Sequence, residues 1–330
     1  MNDSNRCNRT IESEDKKIIV IFAIIYPIQT ILTLVTNLIV CWLVYKTKRL
    51  RTPGNMILVS LCICGMLQTI VFVLKTIFTF SKDEDVCKIV HPLLKYIAII
   101  TQAHLIILSI DRLFAITFPL RYIKWVTVKG AVIAAVVVWV IGLFLIFAIS
   151  YNGEEGKFWK GMAHCSRNRS LRKTPHKKTN MVVKYSCIYF LPLTIIVISY
   201  TISFRIALSQ VKEIFPMTEH NMRKKSALKA ARTTAILIGT YFILYTPSYV
   251  SVIVHKLRNR GPGYGPCNTG YYVRLITSNI WLAAAWINPL VYTMTNADFK
   301  ETLLKLFKRC GVKPVHSHSA DLSNDSKRGK

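Results

Sequence analysis

The segment SIDRLFAIT, residues 109–117, places an aspartate and an arginine side by side at the end of a long apolar run. From Ile89 to Asp111 that run contains no acidic residue before the aspartate, and Lys95 is its only lysine or arginine. A helix of about 20 apolar residues crosses the roughly 30 Å hydrocarbon layer of a membrane. The charged pair therefore stands where such a helix would leave the lipid.

Six further apolar blocks extend this pattern over most of the chain, which has 330 residues, 52% of them hydrophobic, and a mean hydropathy of +0.35. Barrel strands would be about 10 residues long and would alternate in polarity, so the blocks predict helices. The predicted fold is an all-α membrane protein with seven transmembrane helices in a bundle. The blocks cover residues 18–45, 55–80, 88–118, 129–150, 184–208, 230–254 and 272–296.

The orientation of the bundle follows from the first loop, YKTKRLRTPGN at residues 45–55, which has four Lys/Arg and no acid. The positive-inside rule places this loop in the cytosol, and the N-terminus therefore outside the cell, at the plasma membrane. The expected organisation is an extracellular tail at 1–17, the bundle at 18–296, an amphipathic eighth helix at 297–310 and a disordered cytosolic tail at 311–330.

Several motifs follow one another along these blocks at set intervals. Cys87 precedes Arg112 by twenty-five residues, and FPLRY follows at 118–122. Together the motifs resemble those of class A (rhodopsin-like) G-protein-coupled receptors over nearly the whole chain. The other matching residues are Trp139, Pro192 with Tyr200, Pro247, the Asn288-Pro289-Leu290-Val291-Tyr292 motif and Phe299.

The resemblance implies a signalling switch at the cytosolic end. Asp111 pairs with Arg112 at rest, and on activation the sixth helix swings out and frees Arg112 to meet a Gα subunit. The partners implied are a heterotrimeric G protein, an extracellular ligand, membrane lipid, and arrestin with receptor kinases acting on the tail. No cofactor and no metal are expected. The expected switch residues are Asp111, Arg112, Pro119, Leu120, Tyr200, Pro247, Asn288, Pro289 and Tyr292.

The chain also departs from the family pattern at specific positions. Gly65 stands where the family has its sodium-binding aspartate, so sodium modulation is doubtful. Ala227 stands where many members have an acid that holds the arginine, which leaves Asp111 as its restraint and suggests raised basal activity. Tyr245 replaces the tryptophan switch, Tyr241 a core phenylalanine, and Gln102 an aliphatic residue of the third helix.

Cysteines and sequons add expectations about covalent structure. The resemblance implies a disulfide between Cys87 and Cys165. Cys7 and Cys267 are the remaining outside cysteines, and an even count in an oxidising exterior favours their pairing. Cys310 follows a basic amphipathic segment and is expected to carry palmitate, although an idle thiol is the alternative. Glycosylation sequons begin at Asn2, Asn8 and Asn168.

The ligand is constrained by what the outer half contains. Leu94 occupies the position where amine receptors of this family have an aspartate, so an aminergic ligand is not expected. A retinal Schiff base needs a lysine, and residues 276–287 have none. The loop at 151–184 carries nine Lys/Arg against two glutamates, which would concentrate anions. The expected pocket residues are Lys75, His91, Leu94, Lys95, Tyr245, Arg274 and Ser278.

The predicted function is thus a receptor for an anionic or acidic ligand: a peptide, a carboxylated or sulfated metabolite, or a nucleotide. Two alternatives stay open: the basic loop touches only anionic glycans, or the chain is a scavenger of the same fold. A transporter is disfavoured because the chain shows no internal repeat. Enzyme motifs are missing from the sequence, and the net charge of +28 belongs to membrane loops, not to a nucleic-acid-binding domain.

Overall fold

The structure is a computed structural model of the chain, and it describes residues 3–81, 84–151, 175–212, 236, 239–254 and 269–309. These residues are helical almost throughout. The helices are α1 (Asp3–Lys46), α2 (Pro53–Ser81), α3 (Glu84–Thr117), α4 (Pro119–Trp125), α5 (Val128–Tyr151), α6 (Pro175–Lys212), α7 (Gly239–Val254), α8 (Thr269–Thr295) and α9 (Ala297–Arg309), with a short 3₁₀ turn at Lys48–Leu50.

The predicted seven-helix membrane bundle is confirmed. Its spans are α1, α2, α3, α5, α6, α7 and α8, while α4 and α9 are short helices outside it. Four stretches within the described residues are long and apolar enough to cross a membrane, and two shorter apolar helices accompany them. The four are Ile24–Lys46, Pro53–Leu74, Leu93–Thr117 and Tyr189–Ile206, and the shorter ones are Val128–Phe144 and Gly239–Val254.

The first helix begins earlier than the expected boundary at residue 17. α1 is continuous from Asp3, because residues 3–26 contain neither proline nor glycine to end a helix. Pro27 lies inside α1 without ending it. A membrane bundle tolerates such a proline where the freed carbonyl finds another partner.

The central helix of the bundle is α3, which packs against α2, α5 and α6. Its side chains Ile97, Ile100 and Leu108 are almost completely buried. α5 differs in having large apolar side chains on outward-facing positions, such as Ile133 at 63% exposure and Phe144 at 72%. Because water would penalise these side chains, their exposure identifies a surface for lipid.

The ninth helix packs at the end of the bundle where α1 leads into the first loop. Phe299 is fully buried in the main hydrophobic cluster, and Leu303 and Leu306 pack against the same cluster. On its polar side, the Arg49 guanidinium lies 2.6 Å from Asp298 and 3.2 Å from Glu301. The amphipathic sequence of α9 thus produces a helix whose apolar face packs in the bundle and whose charged face pairs with Arg49 of the loop after α1.

Candidate functional site

The C-terminal end of α3 carries the predicted ion pair. Arg112 Nε lies 3.7 Å from Asp111 Oδ2, with side-chain exposures of 36% for the arginine and 5% for the aspartate. The carboxylate is therefore buried while the guanidinium reaches the surface. The partly exposed Arg112 guanidinium is accessible to a binding partner, whereas the Asp111 carboxylate would first have to become exposed.

A tyrosine of α4 also holds the buried aspartate. The Tyr122 hydroxyl donates a hydrogen bond of 2.8 Å to Asp111 Oδ1. Burial, and then the hydrogen bond to the Asp111 carboxylate, raise the pKa of Tyr122 above its ordinary value. The phenol is therefore protonated at physiological pH and can donate. This restraint was missed in the sequence, although FPLRY contains the tyrosine at the right place.

A glycine lets α2 approach this ion pair closely. A Cβ added at Gly54 would lie 2.5 Å from Asp111 Oδ2 and 2.6 Å from Arg112 Nη2. Real Cβ atoms do not make contacts this short, so any side chain at position 54 would displace the pair. Gly54 was not singled out in the sequence, because a lone glycine at a helix start has no distinctive signal.

Other residues of the predicted switch lie near this ion pair. A cavity of about 20 Å³ is lined in part by Ser109, Tyr200, Asn288 and Tyr292. That volume is enough for one water molecule. The buried Tyr200 hydroxyl has no hydrogen-bond partner among the described residues, so a water in the cavity would satisfy it. Pro289 is buried beside Asn288, while Pro247 is half-buried in α7.

Two tyrosines of α7 replace the apolar residues that the family resemblance led us to expect. The Tyr245 hydroxyl accepts a hydrogen bond of 3.1 Å from Asn288 Nδ2 on α8. The Tyr241 hydroxyl donates to Gln102 Oε1 on α3 at 2.6 Å. All four side chains are buried. Each substitution therefore adds a polar connection between α7 and another helix.

The α7 tyrosines belong to a column of stacked rings that continues onto α6. The Tyr241 ring lies 4.7 Å from the Tyr245 ring and 6.1 Å from the Tyr189 ring, and Tyr189 stacks on Tyr249 at 4.8 Å. The Tyr189 and Thr246 hydroxyls also hydrogen-bond. We call Tyr189, Tyr241, Tyr245 and Tyr249 the tyrosine stack. Its hydroxyl bonds connect α7 to α3, α6 and α8.

The glycine that replaces the family aspartate, Gly65, lies where three helices pack closely. A Cβ at Gly65 would lie 3.0 Å from the Ala285 carbonyl oxygen and 3.4 Å from Asn37 Oδ1. Asn37 Nδ2 donates to that same carbonyl at 2.9 Å. Gly65 thus allows α1, α2 and α8 to approach closely, and the acceptor atoms around it are unfavourable for a carboxylate.

A second polar network joins α2, α3 and α5. Trp139 Nε1 donates to Ser60 Oγ at 3.0 Å, and Ser60 Oγ lies 2.8 Å from His104 Nε2. His104 Nδ1 lies 2.9 Å from the Ile100 carbonyl oxygen. Because a carbonyl only accepts, Nδ1 carries the proton and Nε2 accepts from the serine. The fully buried histidine is satisfied as a neutral group and serves packing.

The structure describes the side chains of only some of the expected ligand-pocket residues. Leu94 packs against the apolar cluster shared by α2, α3 and α5, Lys95 is exposed, and Ser278 is half-buried. Tyr245 lies deep in the tyrosine stack, with 2% exposure. Lys75, His91 and Arg274 lie on α2, α3 and α8, and only their backbone is described.

The two residues of α4 that were predicted to contact a G protein lie at the start of this helix. Pro119 is the first residue of the helix, where its missing N–H costs nothing, and Leu120 is 84% exposed. The sites of covalent modification lie outside what the structure describes. Of Cys7, Asn8 and Cys87 only the helical backbone is described, and Asn2, Cys165, Asn168, Cys267 and Cys310 lie beyond the described residues.

A bundle of apolar helices whose central helix ends in a partly exposed arginine is compatible with a transmembrane receptor. A sequence model described as "7 transmembrane receptor (rhodopsin family)" matches residues 36–292. The chain therefore belongs to the rhodopsin family of seven-transmembrane receptors. It is a multi-pass membrane receptor that couples to G proteins, not an enzyme.

Similar proteins cover almost the whole chain at low identity. The histamine H2 receptor of Canis lupus familiaris is 25% identical over 317 residues, which span 92% of this chain and 84% of the relative. The adenosine receptor A2b of Gallus gallus is 25% identical over 313 residues, covering 87% and 88%. The trace amine-associated receptor 13c of Danio rerio is 23% identical over 301 residues, covering 86% and 84%.

Proposed function

We propose that this receptor activates heterotrimeric G proteins through Arg112 and that its resting state is held chiefly by the restraints around Asp111 and α7. The observation that carries the proposal is the ion pair itself. Its aspartate is buried and its arginine is partly exposed at the cytosolic end of α3. Release of Arg112 from Asp111 would present five N–H donors to the carbonyl groups at the end of a Gα helix.

The restraint on Arg112 itself is local, because the described part of α7 places no carboxylate beside its guanidinium. Within the described residues, the only carboxylate within 4 Å of the Arg112 guanidinium is that of Asp111. Tyr122 holds the far oxygen of this carboxylate. We therefore retain raised basal activity as part of the proposal, moderated by the bond from Tyr122.

Activation would move α7 and break its connections to the neighbouring helices. The connections are the hydrogen bonds of Tyr241, Tyr245 and Tyr189 with Gln102, Asn288 and Thr246. Each contributes about 1 kcal/mol net. Together they amount to a few kcal/mol, which is the range expected for a switch with two accessible states.

Nucleotide exchange on purified G proteins tests the coupling. Wild-type receptor in lipid nanodiscs is expected to accelerate exchange on at least one Gα of a panel, without added ligand. Arg112→Ala should abolish this acceleration. Lys300→Ala is the matched control, because Lys300 is an exposed cation on α9. Exchange at the level of empty nanodiscs across the whole panel would favour the alternative, a non-signalling scavenger receptor.

We also propose that the N-terminus is extracellular at the plasma membrane and that the ligand is anionic. The first loop supports the orientation through Lys46, Lys48, Arg49 and Arg51. The basic segment at 151–184 supports the charge of the ligand. The relatives named for histamine and trace amines make an ammonium ligand the main competitor, but the position expected to meet an ammonium here holds Leu94.

Charge reversal separates these ligands. Lys75→Glu and Arg274→Glu should each reduce the potency of carboxylated, sulfated or phosphorylated agonists found by screening, by about tenfold or more. Lys300→Glu serves as the control, because it reverses an exposed charge on α9 that is not among the predicted pocket residues. Equal potency of the acidic agonists in all variants would favour the alternative that the basic loop only contacts surface glycans. If amines activate the receptor and still do so in both charge-reversed variants, the proposal of an anionic ligand is overturned.

The remaining expectations about the covalent structure and partners belong to the same proposal. An extracellular position would let Cys87 pair with Cys165 and Cys7 with Cys267. Palmitate on Cys310 would hold the end of α9 at the membrane. Arrestin and receptor kinases would act on the serines of the cytosolic tail. The expected glycosylation sites are Asn2, Asn8 and Asn168.

A further inference from the structure

The segment that joins α3 to α5 has an unusual distribution of charge. No aspartate or glutamate occurs between Asp111 and Glu154. Asp111 is buried and already bound by Tyr122 and Arg112. Three cations of this segment, Arg121, Lys124 and Lys129, are exposed. None of the three lies within 4 Å of a carboxylate belonging to the described residues.

Large apolar side chains are interleaved with these cations. Ile123 is 79% exposed and Trp125 61%. Exposed apolar residues beside Lys and Arg, with a tryptophan among them, are typical of a helix that lies in the membrane–water interface. A wholly aqueous surface would leave this apolar area in water at a cost of free energy.

The depth of the segment is set by α5. Val132, Ile133 and Val136 on this helix are 45%, 63% and 55% exposed, which places them in lipid. Lys129 lies one turn before them, at the level of the headgroups. Only two residues separate the end of α4 from the start of α5. Lys124 and Trp125 therefore lie near the same depth as Lys129, at the level of the headgroups.

Arg121 is positioned by aromatic rings. Its guanidinium carbon lies 5.6 Å from the centre of the Phe118 ring and 5.7 Å from that of Trp125. Cation–π contacts of this length orient the guanidinium. A planar guanidinium held in this way binds phosphate oxygens in pairs, which a mobile lysine does not.

From these observations we propose that α4 and the start of α5 bind the phosphorylated headgroup of an anionic phospholipid in the cytosolic leaflet. We call Arg121, Lys124, Trp125 and Lys129 the headgroup site. Arg121 binds the phosphate, Lys124 and Lys129 supply charge, and Trp125 lies at the lipid boundary. The leaflet rests on the proposed orientation, whereas the site itself does not depend on G-protein coupling.

Native mass spectrometry of the full-length receptor tests the proposal. Receptor from phosphatidylcholine nanodiscs, with and without a few mole per cent phosphatidylinositol 4,5-bisphosphate, is compared for retained lipid in the absence of G protein. The triple variant Arg121→Ala, Lys124→Ala, Lys129→Ala is expected to lose affinity by about tenfold or more, at roughly 1 kcal/mol per cation near the surface. Arg121→Lys alone should lose affinity by less.

The matched control removes three other exposed cytosolic cations, Lys46, Lys48 and Lys300. It is expected to retain lipid like the wild type. Equal losses in the triple variant and the control would mean that only general positive charge is at work, which overturns the site. Equally tight binding of soluble inositol trisphosphate would overturn the lipid assignment. A thermal midpoint like that of the wild type shows that each variant is folded, and because the assay contains no G protein, a receptor that fails to couple can still pass it.

Discussion

The proposed cytosolic end of the bundle keeps the residues of the family motif, whereas the centre of the bundle does not. At the cytosolic end, Asp111 and Arg112 match the family motif and lie together as that motif requires. In the centre, Gly65, Tyr241 and Tyr245 depart from the family pattern. Gly65 allows close packing of helices, and the two tyrosines hydrogen-bond to neighbouring helices. The comparison teaches that the surface for an intracellular partner and the machinery that controls it can differ independently.

The two regions meet different physical demands. A G-protein contact needs a charge at the surface, which leaves little freedom in the choice of residue. The centre needs only two packings of similar free energy. Stacked tyrosines with partnered hydroxyls can provide this as well as apolar rings do, since a satisfied buried hydroxyl costs little.

Restoring the family aspartate at Gly65 should have the largest effect. Gly65→Asp would place a carboxylate against the Ala285 carbonyl and Asn37 Oδ1, both acceptors. The nearby donor, Asn37 Nδ2, already donates to the Thr33 and Ala285 carbonyls. An uncompensated buried charge is strongly destabilising, so we expect the thermal midpoint in detergent to fall by about 5–10 °C. Thermal unfolding in sodium and in choline chloride measures this.

The control for that substitution is Gly65→Ala, which adds the Cβ without the charge. It should lower the midpoint by less, because the contact of 3.0 Å is tight but does not add a charge. A Gly65→Asp variant that is as stable as the wild type in sodium and less stable in choline would show that the centre still accommodates a sodium ion.

A side chain at Gly54 should disturb the cytosolic end next most strongly. Gly54→Ala brings a Cβ within 2.6 Å of both Asp111 and Arg112, so the ion pair must shift. We expect basal nucleotide exchange to rise severalfold. Gly239→Ala is the matched control, because its Cβ would have no neighbour within 4 Å among the described residues. Unchanged exchange with Gly54→Ala would mean that Arg112 is not held by Asp111.

The seven-helix fold and the cytosolic ion pair could be read from the sequence because each leaves a local signal. A transmembrane helix is a long uncharged run, and the Asp111–Arg112 pair interrupts such a run. Gly54, Tyr122 and Tyr189 could not be assigned, since their roles depend on neighbours far along the chain. Periodicity shows which face of a helix is apolar but not which hydroxyl meets which amide.

The departures at Gly65 and Tyr245 were visible, but their consequences were not. An absent aspartate predicts an absent sodium site, whereas the close approach of Ala285 and Asn37 to Gly65 depends on how three helices pack. Likewise, the restraint on Arg112 was attributed to Asp111 alone. The bond from Tyr122 depends on how α4 packs against the end of α3, which the sequence does not reveal.

Removing hydroxyls from the tyrosine stack should have a moderate effect. Tyr241→Phe and Tyr245→Phe keep the stacked rings and lose one hydrogen bond each, worth about 1 kcal/mol. If these bonds hold α7 in its resting position, basal exchange should rise by about fivefold in each variant and further in the double variant. Tyr45→Phe, on an exposed tyrosine of α1, should change nothing. A fall in basal exchange would mean that the stack stabilises the active state instead.

The smallest expected effect concerns pH and the docking of α9. The hydrogen bond from Lys305, then the charges of Lys305 and Arg49, lower the pKa of Glu301. A carboxyl with a lowered pKa stabilises the folded state above its ordinary pKa of about 4.3, and this contribution is lost as pH falls through the lowered value. The protection factors of the α9 amides, which are corrected for the intrinsic exchange rate at each pH, should therefore fall slightly as acid is added. Glu301→Gln should show this lower protection already at neutral pH.

Both changes should be small because the apolar face of α9 carries the larger part of its docking. Phe299 is fully buried, and burying such a side chain contributes about 1.5–3 kcal/mol, whereas ion pairs between exposed groups contribute little. Phe299→Ala should thus free α9 far more than Glu301→Gln does, and Lys300→Gln should leave exchange unchanged. If Glu301→Gln released α9 as completely as Phe299→Ala, the charged contact with the first loop would be the true anchor, and the cytosolic end would depend on electrostatics throughout.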